Sequence, residues 1–275
     1  MRTFKKAYVE ITNVCNKKCS FCHGTKRVPK EMSEAEFERV LDELKGVTEY
    51  IYLHVLGEPL CHPQAIPFIN TATARGFKVT VTTNGTLLRD ELLDSGLYKF
   101  QVSLHSFEGD DEAEKKAYLD RITGVSKKAA ERGILVSLRL WNLKTDVSNA
   151  FTLDVLESTF PKPWKEGRDN SFTLAKNVFL SFANRFEWPD MEAEEGDDTL
   201  FCYGLRDQIG ILSNGIVVPC CLDAEGDIAL GNIYTESLSY ILEGDRAKAI
   251  YDGFSKRRAV EELCRKCAYA KRFGL

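Results

Sequence analysis

Cys15, Cys19 and Cys22 close a short apolar strand in the run Glu10-Ile11-Thr12-Asn13-Val14-Cys15-Asn16-Lys17-Lys18-Cys19-Ser20-Phe21-Cys22. The spacing is C-x3-C-x2-C. A chain with this run must end its first strand at an open loop able to hold an inorganic centre. Three thiolates on one tight loop suit a four-iron cluster, because they bind three irons and leave the fourth open for a substrate. The plain alternative is a zinc knuckle short of one ligand.

The first half of the chain places that loop in a repeating context. Strands are predicted over Ala7–Thr12, Tyr50–Val55, Lys78–Thr82, Phe100–Leu104 and Ile134–Trp141, with a sixth over Asn177–Phe182. Amphipathic helices lie between them. Ser33 and Glu36 form a capping box that opens a helix to about Leu44. Pro63–Ala74, Asp111–Arg132 and Asp146–Ser158 read as further helices. Strand–helix alternation predicts parallel βα units, so the fold class is α/β. The acidic run from Glu192 to Asp198 reads as a linker, with a boundary near residue 195. Beyond it, Gln208–Leu212, the turn Ser213-Asn214-Gly215 and Ile216–Val218 predict a hairpin, and Ser237–Phe254 a helix.

At 275 residues and 44% apolar, the chain supports one large α/β domain with a small appendage. Its net charge is −4. This argues against tight binding of nucleic acid or anionic membrane. The basic runs Lys256-Arg257-Arg258 and Lys271-Arg272 read as solvated faces. Nine cysteines with no apolar segment after Met1-Arg2-Thr3-Phe4 predict a cytoplasmic, reducing location. Clustered cysteines are there more often metal ligands than disulfides.

These residues resemble the radical SAM superfamily, whose signature is C-x3-C-x2-C after the first strand. Gly57-Glu58-Pro59 after the second strand is similar to that family's motif facing the amino group of S-adenosylmethionine (SAM). Thr83-Asn84-Gly85 after the third also fits. The resemblance implies a partial (β/α)6 TIM-like barrel over residues 1–195, with its chemistry at the C-terminal strand ends. It implies that Cys15, Cys19 and Cys22 hold the SAM-binding [4Fe-4S] cluster and that the backbone of Phe21 meets the adenine. Ser103 resembles a carboxylate or ribose contact. Arg139 either pairs the SAM carboxylate or makes a local strand contact. His105 either faces the pocket or satisfies loop hydrogen bonds. His23, His54 and His62 have no ligand spacing, and Cys61 reads as a small buried hydrophobe.

A second cysteine set follows. Cys202, Gly215 and Cys220 form C-x12-G-x4-C, and Cys264-Arg265-Lys266-Cys267 closes it. Four cysteines suit zinc or an iron–sulfur cluster, and spacing alone barely separates the two. The set resembles the SPASM extension of radical SAM enzymes in its shortened, twitch-like form. That implies a small α+β domain over 196–275, with a β-hairpin, a helix and one auxiliary [4Fe-4S] cluster on Cys202, Cys220, Cys264 and Cys267. Cys221 is the alternative to Cys220, and the glycine spacing favours Cys220.

The expected function is reductive cleavage of SAM to a 5′-deoxyadenosyl radical, which abstracts hydrogen from a small molecule or peptide. A net oxidation follows, with the auxiliary cluster either accepting the electron or ordering the substrate pocket, and flavodoxin or ferredoxin as electron donor. Relatives with this architecture include a dehydrogenase of aminoglycoside biosynthesis and the cyclase of the molybdopterin pathway. Peptide crosslinking, RNA modification and a non-catalytic iron–sulfur redox role are the alternatives. There is no room before the first strand for a peptide-recognition domain, and the ending Arg272-Phe273-Gly274-Leu275 lacks the cyclase's glycine pair. No general base stands out among Glu108, Glu187 and Asp223.

Overall fold

The structure is a computed structural model and describes residues 2–109, 111–185 and 187–273, without the side chain of Lys271. The elements, in chain order, are β1 (Lys6–Val9), α1 (Glu34–Leu44), β2 (Tyr50–Tyr52), α2 (Ala65–Ala74), β3 (Lys78–Thr83), β4 (Lys99–Ser103), α3 (Glu112–Glu131), β5 (Leu135–Leu143) and α4 (Ala150–Thr159). They continue with β6 (Lys165–Glu166), β7 (Ser171–Ala175), β8 (Val178–Asn184), β9 (Gln208–Ile211), β10 (Ile216–Val218), β11 (Gly231–Asn232), α5 (Leu238–Glu243), α6 (Asp245–Ser255) and α7 (Glu262–Arg265).

Six strands, β1-β2-β3-β4-β5-β8, run parallel side by side. Their helices cover one face. The period-2 pattern shows why: in β5, Val136, Leu138 and Leu140 are buried, while Ser137, Arg139 and Trp141 are half-buried on the opposite face. The first set packs under the helices. The second faces the hollow of the half-barrel. Ser33 caps α1 with the predicted capping box, and Phe37, Val40, Leu41 and Leu44 line its buried stripe. Phe37 stacks on Phe68 of α2 at a 4.3 Å centroid distance. Each such fully buried ring contributes about 1.5–3 kcal/mol of transfer free energy.

The sheet does not close. On its far side β7 and β6 add antiparallel to β8, a hairpin that the sequence reading missed. On its near side β9 pairs in parallel with β1, Ala7 opposite Ile209, and β10 and β11 follow antiparallel. The C-terminal hairpin therefore extends the barrel sheet itself. In its turn Gly215 takes a positive φ of 85°, while Asn214 does not. The single helix expected over Ser237–Phe254 is two, α5 and α6, broken at Gly244 with extended backbone. Helices expected from Pro63 and Asp146 begin at Ala65 and Ala150. The run Lys256-Arg257-Arg258 is exposed. Gly274 and Leu275 of the chain's ending lie outside the described residues.

Candidate functional site

The loop after β1 carries Cys15 and Cys22 exposed and Cys19 half-buried. A tight turn, Cys22 N–H to Cys19 O at 3.0 Å, gathers the three. Backbone N–H groups of Lys17 and Gly24 point at the sulfurs of Cys15 and Cys22, at 3.4 and 3.5 Å. Burial raises the thiol of Cys15, and pushes Cys19 up to about 11 with Glu108 and its neighbour thiols adding to it. Thiols held protonated this way release protons when a cationic centre takes them up.

Three other strand-end loops lace this one in place. Gly57 sits at φ +73°, and a Cβ there would lie 2.4 Å from Thr12 O. The next N–H, of Glu58, bonds Val14 O at 2.8 Å. The Glu58 carboxylate is buried and accepts from the N–H of Leu60 at 3.1 Å and of Asn84 at 2.6 Å. Burial raises its pKa despite these bonds. This carboxylate thus ties the β2 and β3 loops together, and Pro59 begins the turn between them. The Asn84 amide donates to Asn16 Oδ1 at 2.9 Å and approaches Cys15 Sγ at 3.9 Å. Glu108 accepts from Ser20 N–H at 2.8 Å and from the Ser20 hydroxyl, so this candidate base serves the cysteine loop.

Below the loops lies a cavity of about 720 Å³ inside the half-barrel. Phe21, Ser103, His105 and Arg139 all line it. His105 Nδ1 bonds the Arg139 carbonyl at 3.1 Å, so it must be the donor there. Its ring lies 5.0 Å from Phe21, and burial lowers its pKa, against the bond to the Arg139 carbonyl and with the charges of Arg139 and Arg185. Both readings of His105 thus hold together. Arg139 stands with its guanidinium 4.5 Å from the Trp141 ring centroid. Burial lowers its pKa to about 10, so it stays charged at neutral pH. It makes no ion pair among the described residues. His54 also lines the cavity, lowered to about 3 by burial, then by Arg139 and Lys6. His62 is structural: its Nδ1 accepts from Gln64 N–H, and its Nε2 donates to Met32 O at 2.9 Å. His23 lies against Trp188, and Cys61 is half-buried rather than buried. Glu187 is exposed.

The second cysteine set converges from distant sequence. Cys202, Cys220, Cys264 and Cys267 line one small cavity with Asp223. Burial raises all four thiols, and mutual repulsion adds to Cys202, Cys220 and Cys264. Asp223, raised to about 6 by burial, accepts three backbone N–H groups from Gly226, Asp227 and Ile228. Cys221 does not join this set. It lines the central cavity with Tyr8. Among the described residues no three cysteine, histidine or carboxylate side chains close to single-ion distance. The two cavities share the wall residues Gln208, Leu222, Tyr269 and Phe273.

One residue central to this arrangement escaped the sequence reading. Glu10 is fully buried at the end of β1. Arg27 grips it with two bonds of 2.7 and 2.8 Å, and it accepts from Leu56 N–H and from both groups of Ser213. It therefore joins the cysteine loop, the β2 loop and the C-terminal hairpin. The available signal was an acidic residue inside an apolar strand.

The model of the Radical SAM superfamily matches residues 9–147, and that of SPASM, an iron–sulfur cluster-binding domain, matches 202–268. These matches give the chain SAM and two [4Fe-4S] clusters as cofactors. A tungsten-containing aldehyde ferredoxin oxidoreductase cofactor-modifying protein of Pyrococcus furiosus is 37% identical over 93 residues, 32% of this chain and 26% of that protein. An AdoMet-dependent heme synthase of Methanosarcina barkeri is 32% identical over 102 residues, 34% of this chain and 29% of that protein. The match thus spans less than a third of either relative. Among solved structures, BtrN in complex with AdoMet and 2-DOIA aligns with TM-score 0.64 at 17% identity, over 98% of this chain and 94% of that one. SuiB of Streptococcus suis bound to precursor peptide SuiA aligns with TM-score 0.65 at 16% identity, over 98% and 71%. Among the described residues no helix is long and apolar enough to cross a membrane.

Proposed function

This chain belongs to the radical SAM superfamily, and from that premise we propose that it oxidises a small organic molecule in the reducing cytoplasm. When bound and reduced, by a flavodoxin or ferredoxin, the N-terminal cluster with SAM supplies a 5′-deoxyadenosyl radical that takes hydrogen from the substrate. Every other role falls to the chain's own residues. Cys15, Cys19 and Cys22 hold that cluster, and Asn84 fixes the loop beside Cys15. Gly57 lets two backbones meet, and Glu58 with Pro59 keeps the β2 and β3 loops at a set spacing around the amino-acid end of SAM. Arg139 takes the SAM carboxylate as a charge-assisted pair. Ser103 takes the ribose, and Phe21 borders the adenine. Cys202, Cys220, Cys264 and Cys267 hold the auxiliary cluster, whose burial favours electron storage over substrate exchange.

One observation carries this reading. The open cysteine loop and the closed cysteine cavity border the same hollow, which is large enough, at about 720 Å³, for SAM beside a small substrate. The test is anaerobic incubation of the reconstituted protein with SAM and dithionite. The expected product is 5′-deoxyadenosine. A reduced cluster whose spectrum ignores SAM, with no nucleoside released, would falsify the proposal.

A further inference from the structure

Resting on that reading, we infer that the substrate is a small anion, whose carboxylate or phosphate is anchored by Lys6 between Tyr8 and Tyr52 at the N-terminal floor of the central cavity.

Lys6 opens β1 and lines the cavity. Its Nζ lies 5.1 Å from the Tyr8 ring centroid and 5.4 Å from that of Tyr52. It has no hydrogen-bond acceptor and no ion pair among the described residues. Other cations line the same hollow, Arg139 and Arg185 among them. Lys99 opens β4 on the inward, half-buried face, also without an acceptor. Arg139 stands on β5 with its guanidinium against the Trp141 ring, and Tyr8, Tyr52 and Cys221 also act on it. Burial pushes both lysines down, and Arg139 acts on each in the same direction. The lining holds one carboxylate, Asp207, and Lys5 already pairs with it at 2.6 Å. A partly buried ammonium with no directly paired carboxylate is unfavourable, and a bound anion relieves it.

SAM does not supply that anion. It carries one carboxylate, which the proposed function assigns to Arg139, in register with Ser103, the last residue of β4. Lys6 lies at the opposite end of its strand, in register with Gln208. The second anion must come from the substrate. Its body then lies along Tyr8, Tyr52 and Tyr50, a wall that suits a flat or apolar group. Cys221, on the same cavity lining as Tyr8 and next in sequence to Cys220, places this spot beside the auxiliary site. An anion held by Lys6 would therefore set the substrate between the two cofactor sites.

The test uses inorganic phosphate and succinate, each titrated by calorimetry into anaerobically reconstituted protein saturated with SAM. At least one should bind saturably at a single site. Tighter phosphate assigns a phosphoryl substrate, and tighter succinate a carboxylate. Lys6→Met should weaken the tighter anion at least about tenfold, while Lys6→Arg should hold it within about threefold. Lys6→Met should also raise the melting temperature of the anion-free protein, since an unpaired charge is removed. SAM affinity should not change. The inference is overturned if neither anion binds the wild type, if Lys6→Met binds as well as the wild type, or if Lys6→Met loses SAM affinity in step. Wild-type protein that binds phosphate but ignores SAM counts against the superfamily chemistry and leaves the role of Lys6 intact.

Discussion

The two cysteine sets differ in how they meet water. Cys15 and Cys22 stand exposed on one short loop. Cys202, Cys220, Cys264 and Cys267 are half-buried, drawn from three separate stretches into one lined cavity. The contrast is between an open site and a closed one. A centre that must exchange a ligand needs a free position and an approach to it. A centre that stores charge is served by a full ligand set and exclusion of solvent. Sulfur thus stands in two settings in one chain, set apart by burial and by loop length.

The sharpest way to break that comparison is to remove one sulfur from each site. Cys15→Ala should abolish 5′-deoxyadenosine formation. Cys264→Ala should leave SAM cleavage within a few-fold of wild type while removing about four of about eight irons and stopping substrate turnover. Equal loss from both variants would mean that the closed site is a structural prop. Next in size is the joint between the sites. Glu10→Gln leaves the Arg27 guanidinium without its counter-charge and should destabilise the protein by about 3–5 kcal/mol, read by urea unfolding. A change below about 1 kcal/mol would show that the two regions are held together by other contacts.

Smaller effects sharpen the open site. Arg139→Met should weaken SAM binding by about 1.5–3 kcal/mol, measured by equilibrium dialysis. Unchanged affinity would return Arg139 to a local strand role. Gly57→Ala forces a Cβ to 2.4 Å from Thr12 O at positive φ, and should cost about 1–3 kcal/mol of stability in a melting experiment. The smallest change belongs to the cavity wall. Tyr8→Phe removes a hydroxyl from the largely buried cavity wall it shares with Cys221 and should shift stability by no more than about 1 kcal/mol. It should leave iron content untouched.

Much of this arrangement was legible in the sequence because local signals sufficed. Ser33 and Glu36 declared their helix by a cap, and β-branched runs declared the six parallel strands. The trio Cys15, Cys19 and Cys22 is contiguous, so spacing alone exposed it. Glu10, Lys6 and Tyr8 were not legible, because their meaning depends on which face of β1 each occupies and on partners far along the chain. Cys221 was read as a stand-in for Cys220. In the turn after β10 Cys221 instead lines the central hollow, a distinction that spacing cannot make. The hairpin of β6 and β7 was hidden in a segment with weak periodicity, and the break at Gly244 in one whose apolar pattern runs through it.

The parallel pairing of β1 with β9 has a consequence for how this molecule comes into being. Lys6 finds Gln208 as its neighbour only after most of the polypeptide has been made. During synthesis the first strand waits with one side unpaired, an invitation to foreign strands. Its Glu10 waits too, without Ser213. Cutting away the last third would therefore not yield a smaller, self-sufficient barrel. It would leave an open seam running alongside the cysteine loop, and the two halves stand or fall together.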